Sequence, residues 1–299
     1  MKVLLTGATG FLGTHLLADF LNRNYKVLMT KRASTDLGPL FLRFGNLEAW
    51  DTEELENIFT THPDVEAIVH AATDYGRDNS SPTAVFWANE AFPIKLIELA
   101  IRHNIALFIN MDTFFNSDKV SYDYLGAYTL SKRHFQEWGQ HCANTGRIGF
   151  ANLRLFHLYG PGDGRQKFVP AMVGRCLAGE EIDLTDGKQK RDFIHIDDAV
   201  AAVSTVLEAE AGRGGGYRHY DVGTGTSLRI RDFIETVKRL CCSSAKLNFG
   251  ALPNRKGEFQ NACAETEALR TLGWIPRVGI EAGIRTVIED IGQRAIKTT

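Results

Sequence analysis

The chain has 299 residues, of which 44% are hydrophobic and 23% charged, and a formal net charge of −2. This is an ordinary globular balance, long enough for one large domain or two intimate ones. It points away from nucleic acid or an anionic membrane as the main partner, and no apolar run approaches the ~18 residues of a membrane span. The opening MKVLLTGATGFLG has a basic start, but its apolar run is too short for a signal peptide and no cleavage site follows. It reads as the first strand of a cytoplasmic protein. The five cysteines (Cys142, Cys176, Cys241, Cys242 and Cys263) are odd in number and have neither metal-site nor disulfide spacing. They read as buried or incidental thiols, and no metal is expected.

Strand and helix signals then alternate. A short apolar run at 2–6 is followed by a glycine-rich turn and helical periodicity over 11–23. A second run occupies 25–30, helical spacing 53–61, and a third run 66–70. Residues 82–103 are helical in pattern, 106–111 form a fourth run, 124–142 a further helix, and 149–155 a fifth run. Short buried runs alternating with helices predict an α/β fold, a parallel sheet covered on both faces. Right-handed crossovers make it a doubly wound Rossmann sheet. After about residue 157, Gly160-Pro161-Gly162, Gly212 to Gly216 and Pro253 break the pattern. The expected division is a dinucleotide-binding domain over 1–157 and a smaller mixed C-terminal substrate lobe over 158–299, the two interleaved.

Thr6-Gly7-Ala8-Thr9-Gly10-Phe11-Leu12-Gly13 ends a strand and opens a helix, with glycines spaced G-x-x-G-x-x-G. Glycine lets the backbone approach a pyrophosphate, and the helix N-terminus supplies free N–H groups. In that context Gly7, Thr9, Gly10, Phe11, Leu12 and Gly13 predict a dinucleotide site. The second run ends in Lys31 and Arg32. An acid there would take the ribose 2′-OH of NAD. Two cations suit the 2′-phosphate of NADP(H) instead, the plain alternative being a solvated basic turn.

Tyr128 and Lys132 stand four apart on a predicted helix and share one face. A free tyrosine has a pKa of about 10, and a nearby ammonium stabilises its phenolate. Thr113 lies just past the fourth run, at the edge where open α/β sheets bind ligands. Its hydroxyl can share a substrate oxygen with Tyr128.

In order along the chain, TGATGFLG, YTLSK, RLFHLYGPGD, RDFIHIDD, VGTGTSLRIRDFIE and LGWIPR resemble the signatures of the extended short-chain dehydrogenase/reductases, the branch acting on nucleotide sugars. INMDTFF, KRHFQEWG, KFVP and the stretch from FGALPNRKGE to LGWIP resemble the CDP-abequose and CDP-paratose synthase subgroup. The resemblance implies further roles. Asn46 and Leu47 take the place of an adenine-contacting Asp-x pair. Ala71, Ala72, Thr73, Asn89 and Met111 line the cofactor, as do Leu155, Phe156 and His157, and Lys132 holds the nicotinamide ribose. Phe168 and Val169 flank the substrate nucleotide, Arg191 binds its diphosphate, and Arg255 and Glu258 contact diphosphate and ribose. His157 replaces a substrate-phosphate asparagine. Asp197 and Asp198 cap the next helix.

In this family dehydratases follow the threonine with Asp-Glu, whereas Phe114 and Phe115 follow Thr113 here. With Lys31 and Arg32, that implies NADPH-dependent reduction of the 4-keto group of a CDP-linked deoxyhexose, in deoxysugar biosynthesis of the O-antigen kind. A 4-epimerase with bound NAD and a non-catalytic NADPH-binding protein are the alternatives. A homodimer packed through the helices at 82–103 and 124–142 is expected.

Overall fold

Four of the five residues in Lys2–Thr6 (β1) are buried, which requires cover on both sheet faces. The same holds for Lys26–Lys31 (β2), Ala67–His70 (β4), Leu107–Thr113 (β5) and Gly149–Leu155 (β6), with Glu48–Asp51 (β3) as a more exposed edge. The computed structural model describes residues 1–77, 79–117 and 125–296. These six strands and Gly216–Val222 (β11) form one parallel sheet in the order β11-β6-β5-β4-β1-β2-β3. The order reverses between β1 and β4, and a ligand crevice belongs at the C-terminal ends of those strands.

Helices Phe11–Asn22 (α1), Gly38–Phe44 (α2), Leu55–Thr61 (α3), Pro82–Phe86 (α4), Phe92–Arg102 (α5), Gly126–Asn144 (α6), Phe168–Leu177 (α7) and Ile196–Glu210 (α8) follow in chain order. One face of the sheet buries Leu16 and Leu17 of α1 with Ala199 and Val203 of α8. The other buries Ile58 and Phe59 of α3, Leu96 and Ile97 of α5 and Phe135 of α6. The remaining elements are His157–Tyr159 (β7), Glu181–Leu184 (β8), Lys190–Arg191 (β9), Phe193–His195 (β10), Leu228–Arg229 (β12), Lys246–Phe249 (β13), Asn261–Ala262 (β14), Ile230–Leu240 (α9), Glu267–Thr271 (α10) and Ile280–Ile296 (α11). Small two- and three-stranded sheets and a separate apolar core around Val173, Phe193, Phe233 and Ile284 make the second lobe.

The structure departs from the sequence reading in three places. Residues 38–51 hold α2 and β3, so the run at 67–70 is the fourth strand and not the third. The helix over 82–103 contains a π turn at Trp87–Ala91. Pro93 has no N–H to give to residue 89, and the Phe92 N–H reaches five residues back to the Trp87 carbonyl. The chain also returns to the main sheet after residue 157, through α8 and β11. The expected start of the catalytic helix at Tyr124 lies outside the described residues. Among the described residues no helix is long and apolar enough to cross a membrane, and no three His, Cys, Asp or Glu gather as for a metal.

Helix α6 lies close on the sheet. A Cβ added at Gly139 would fall 2.1 Å from the Phe150 ring. Gly139→Ala should therefore destabilise the protein by about 1–3 kcal/mol through overpacking, despite the gain of about 1 kcal/mol in helix propensity. Urea unfolding measures this; an unchanged or raised midpoint would show that the ring moves aside at little cost.

Candidate active site

The turn after β1 holds Gly7 at φ 72°. A Cβ there would sit 2.5 Å from the Ala72 nitrogen, so only glycine lets this turn rest on the chain leaving β4. The contact is tied by the Ala72 N–H, which donates to Thr6 Oγ1 at 3.2 Å, and by Thr6 Oγ1 and His70 Nδ1 at 2.8 Å. Gly10 is the N-cap of α1 and brings no side-chain cap. The first-turn N–H groups at Phe11, Leu12 and Gly13 therefore receive no cap hydrogen bond from it, as an incoming pyrophosphate requires. Thr9 is exposed beside them. The chain thus fits a dinucleotide at this end.

Lys31 ends β2 with its ammonium 3.5 Å from Asp51, the last residue of β3. Arg32 is exposed, and its guanidinium has no side-chain partner among the described residues. Asn46 and Leu47 are not brought to this edge. They precede β3, whose first residue Glu48 pairs with Leu28 in the middle of β2, so they stand at the far end of the strand. Asp51, opposite Lys31, stands at that edge instead, with Thr52 next to it. Ala71, Ala72 and Thr73 leave β4 half-buried. Asn89 is 0% exposed. Its Oδ1 accepts from Thr73 Oγ1 and the Asp74 N–H, and its Nδ2 donates to the Asp74 carbonyl and Ser131 Oγ. All its capacity is spent within the protein, so it fixes the loop after β4 and has none left for a cofactor.

The chemistry gathers where α6 crosses β5. Thr113 is the last residue of that strand, not one beyond it. Tyr128 is buried, with Thr113 beside its hydroxyl and its ring 5.1 Å from Tyr75. Lys132, 1% exposed, donates to the Met111 carbonyl at 2.7 Å. Sequence reasoning expected Lys132 to lower the pKa of Tyr128. The structure aims the ammonium at Met111 instead, and burial drives the phenol well above its ordinary value, with Thr113 opposing. Burial also pulls Lys132 down to about 8, against a rise from the nearby Asp112 carboxylate.

On the substrate side, Leu155 ends β6, Phe156 is buried against Phe114, and His157 opens β7. His157 Nδ1 is enclosed without a partner, and its ring lies 4.4 Å from that of Phe114. Burial, helped by the Arg191 charge, lowers its pKa to about 3. It is therefore a neutral imidazole with one nitrogen to offer. Arg191 is 4% exposed, lies 4.4 Å over the Phe259 ring and pairs with Glu258 at 2.5 Å. Two residues singled out separately in the sequence thus form one buried ion pair. Exposed Arg255 begins the turn that closes when the Glu258 N–H donates to its carbonyl. Phe168 is exposed beside Phe193 and Phe233, whereas Val169 points into the core of the second lobe.

The capping role given to Asp197 and Asp198 is corrected. His195 is the N-cap of α8, accepting from the Asp197 N–H, and Asp198 instead accepts the N–H groups of Arg277 and Val278. Buried carboxylates that the sequence reading did not single out include Asp192, which accepts from Thr224, Gly225 and Ala264, and Asp112 beside Thr113. Spacing does not mark them, since the partners of Asp192 are 32 to 72 residues away and Asp112 completes its set with Asn152, 40 residues on.

Residues 3–223 match the model of the NAD dependent epimerase/dehydratase family. CDP-abequose synthase of Salmonella muenchen is 36% identical over 96% of this chain and 97% of its own length. The dTDP-4-dehydro-6-deoxyglucose reductase of Escherichia coli is 26% identical over 97% of each. Among solved structures, UDP-glucose 4-epimerase of Thermotoga maritima with UDP-glucose superposes with a TM-score of 0.85 at 22% identity, over 99% of this chain and 100% of that one. MoeE5 in complex with UDP-glucuronic acid and NAD superposes at 0.81 with 23% identity, over 98% and 100%. These two show the shared fold. By the match over its first 223 residues and the likeness to CDP-abequose synthase along nearly its whole length, the chain belongs to the NAD dependent epimerase/dehydratase family.

Proposed function

We propose that the chain uses NADPH to reduce the 4-keto group of a CDP-linked deoxyhexose. The observation that carries this reading is Tyr128 buried against the end of β5 at Thr113, with Phe114 and Phe115 directly behind, their rings 4.2 Å apart. The pair can protonate an oxygen, and the two residues after Thr113 offer no carboxylate to eliminate water. The likeness to CDP-abequose synthase and to a dTDP-4-dehydro-6-deoxyglucose reductase supports the same reading.

Bound NADPH supplies the hydride that goes to C4. Tyr128 gives its proton to the oxygen as charge gathers there. Its raised pKa keeps it protonated until that moment. Thr113 orients the carbonyl oxygen. Lys132, fixed on the Met111 carbonyl, holds the nicotinamide ribose. Arg191 and Glu258 take the diphosphate and ribose of the sugar nucleotide, turning remote binding energy into placement of C4. Asp51 favours a second reading: a carboxylate beside Lys31 suits NAD, and a 4-epimerase would retain it. Denatured protein should release no NAD if the reductase reading holds.

The face built by α4, the π turn and α6 exposes Phe86, Trp87, Leu130 and Trp138, and we assign it to a homodimer. Leu130→Glu with Trp138→Glu should halve the mass seen by sedimentation; a wild-type monomer would remove the dimer. With a CDP-4-keto-3,6-dideoxyhexose, the protein should consume the reduced-nicotinamide absorbance of NADPH. No consumption with it or its 6-deoxy relatives would sink the reductase. Tyr128→Phe should lose about 10²–10⁴-fold in kcat while still binding NADPH; full activity would strip Tyr128 of its role. Arg32→Ala should narrow the preference for NADPH over NADH by about 10-fold, the scale of one lost charge-assisted bond. An unchanged preference would mean that Arg32 does not read the 2′-phosphate.

A further inference from the structure

Between the residues that hold Lys132 and Tyr128 stands a side chain with no part in the reaction as proposed. Asp112 follows Met111, whose carbonyl takes the Lys132 ammonium, and precedes Thr113, which lies beside Tyr128. Strand β5 alternates, so Asn110 and Asp112 continue the face of Phe108, which packs on Phe135 of α6. Asp112 is 3% exposed. Its Oδ1 accepts the Thr113 N–H at 2.8 Å, and its Oδ2 accepts Asn152 Nδ2 at 2.8 Å and Asn116 Nδ2 at 3.0 Å. Asn110 donates to Asn152 Oδ1 at 2.7 Å, which fixes Asn152 with its amide nitrogen toward the carboxylate.

Every partner of Asp112 is a donor. That set satisfies an ionised carboxylate, whereas a protonated one would need an acceptor that none of them offers. A buried anion requires a cation. Arg154 approaches from β6, but its guanidinium is bonded to Asp221 of β11 at 2.7 Å, and His219 meets the same carboxylate at 2.9 Å. Tyr128 of α6 and Tyr217 of β11 are neutral phenols whose ionisation the Asp112 charge opposes, and His70 on β4 is held neutral by burial. Among the described residues Lys132 is the cation that remains, 1% exposed and bonded to the adjoining peptide.

We infer that Asp112 is a positioning residue for the reaction and the buried counter-ion of Lys132, holding the Thr113 turn by its N–H and by Asn116 while keeping the lysine an ammonium. The inference rests on the reading of Tyr128 and Lys132 as the working pair. Burial alone favours the neutral amine, and the Asp112 carboxylate opposes that loss. With the carboxylate gone, Lys132 gives up its proton at lower pH.

The test is Asp112→Asn, with Asp112→Ser in its place should the amide variant not fold. Carbon NMR of protein labelled at lysine Cε should show one lysine titrating near 8, missing in Lys132→Met. In either Asp112 variant its midpoint should fall by about one unit, a 10-fold loss in proton affinity. Turnover of the keto sugar should fall about 5-fold at pH 8, as the ammonium fraction drops from about one half to about one tenth, and recover toward pH 6, where the lysine regains its proton; a packing defect alone would not be rescued by acid. An unmoved Lys132 midpoint overturns the inference even if turnover is normal. A shifted midpoint in a protein that reduces no keto sugar upholds the counter-ion and overturns the reductase instead.

Discussion

The 2.7 Å bond from the buried Lys132 ammonium to the Met111 carbonyl ties the catalytic helix to the sheet. Burying an ammonium costs on the order of several kcal/mol unless it is bonded and matched in charge. Here the acceptor is the peptide carbonyl two residues before Thr113, so α6 can pay that cost only in one register over β5. In that register Tyr128, one turn earlier on the same face, meets the end of the strand at Thr113. Gly139 then has to lie on Phe150, where no side chain fits. Catalytic geometry and core packing are in this sense one constraint: a shift of α6 would strand the lysine and collide with the Phe150 ring together.

The cofactor end follows a similar logic through backbone and not charge. Gly7 rests against Ala72 because β1 and β4 are neighbours at the point where strand order reverses. Thr6 and His70 sit at the ends of those strands and bond across the gap, so the glycine turn and the loop after β4 move as a unit. Asn89 extends the unit to α6 through Ser131. A π turn carries Asn89, and Pro93 accounts for that turn. The proline therefore shapes the helix so that a buried amide can join the two halves of the crevice.

Much of this was legible in the chain because fully buried parallel strands leave a strong local mark. The runs at 2–6 and 149–155 are β1 and β6 residue for residue. The edge strand β3 left no such mark: half-exposed and only four residues long, it has neither an apolar run nor clean alternation. The pair that the resemblance pointed to, Asn46 and Leu47, lies before the start of this strand, which Asp51 ends. The catalytic pair was legible because its spacing is helical and local. Its electrostatics were not. The direction of the Lys132 ammonium depends on a strand 21 residues away, and the partner of Arg191 lies 67 residues further on, across a turn.

The surroundings of the pair also bear on the direction of chemistry. A tyrosine that must take a proton from an alcohol works best with a lowered pKa, and a nearby ammonium aimed at the phenol would supply it. Here the ammonium is turned to a carbonyl, the phenol is buried, and the Asp112 and Tyr75 contributions both oppose its ionisation. Such an environment stabilises the protonated tyrosine, the form that donates. His157, neutral through burial, and the stacked Phe114 and Phe115 add no competing acid. The proposed reduction uses the proton where these groups hold it. At neutral pH Tyr128 therefore rests as the acid, the state from which reduction of a carbonyl starts, whereas oxidation of an alcohol starts from the phenolate.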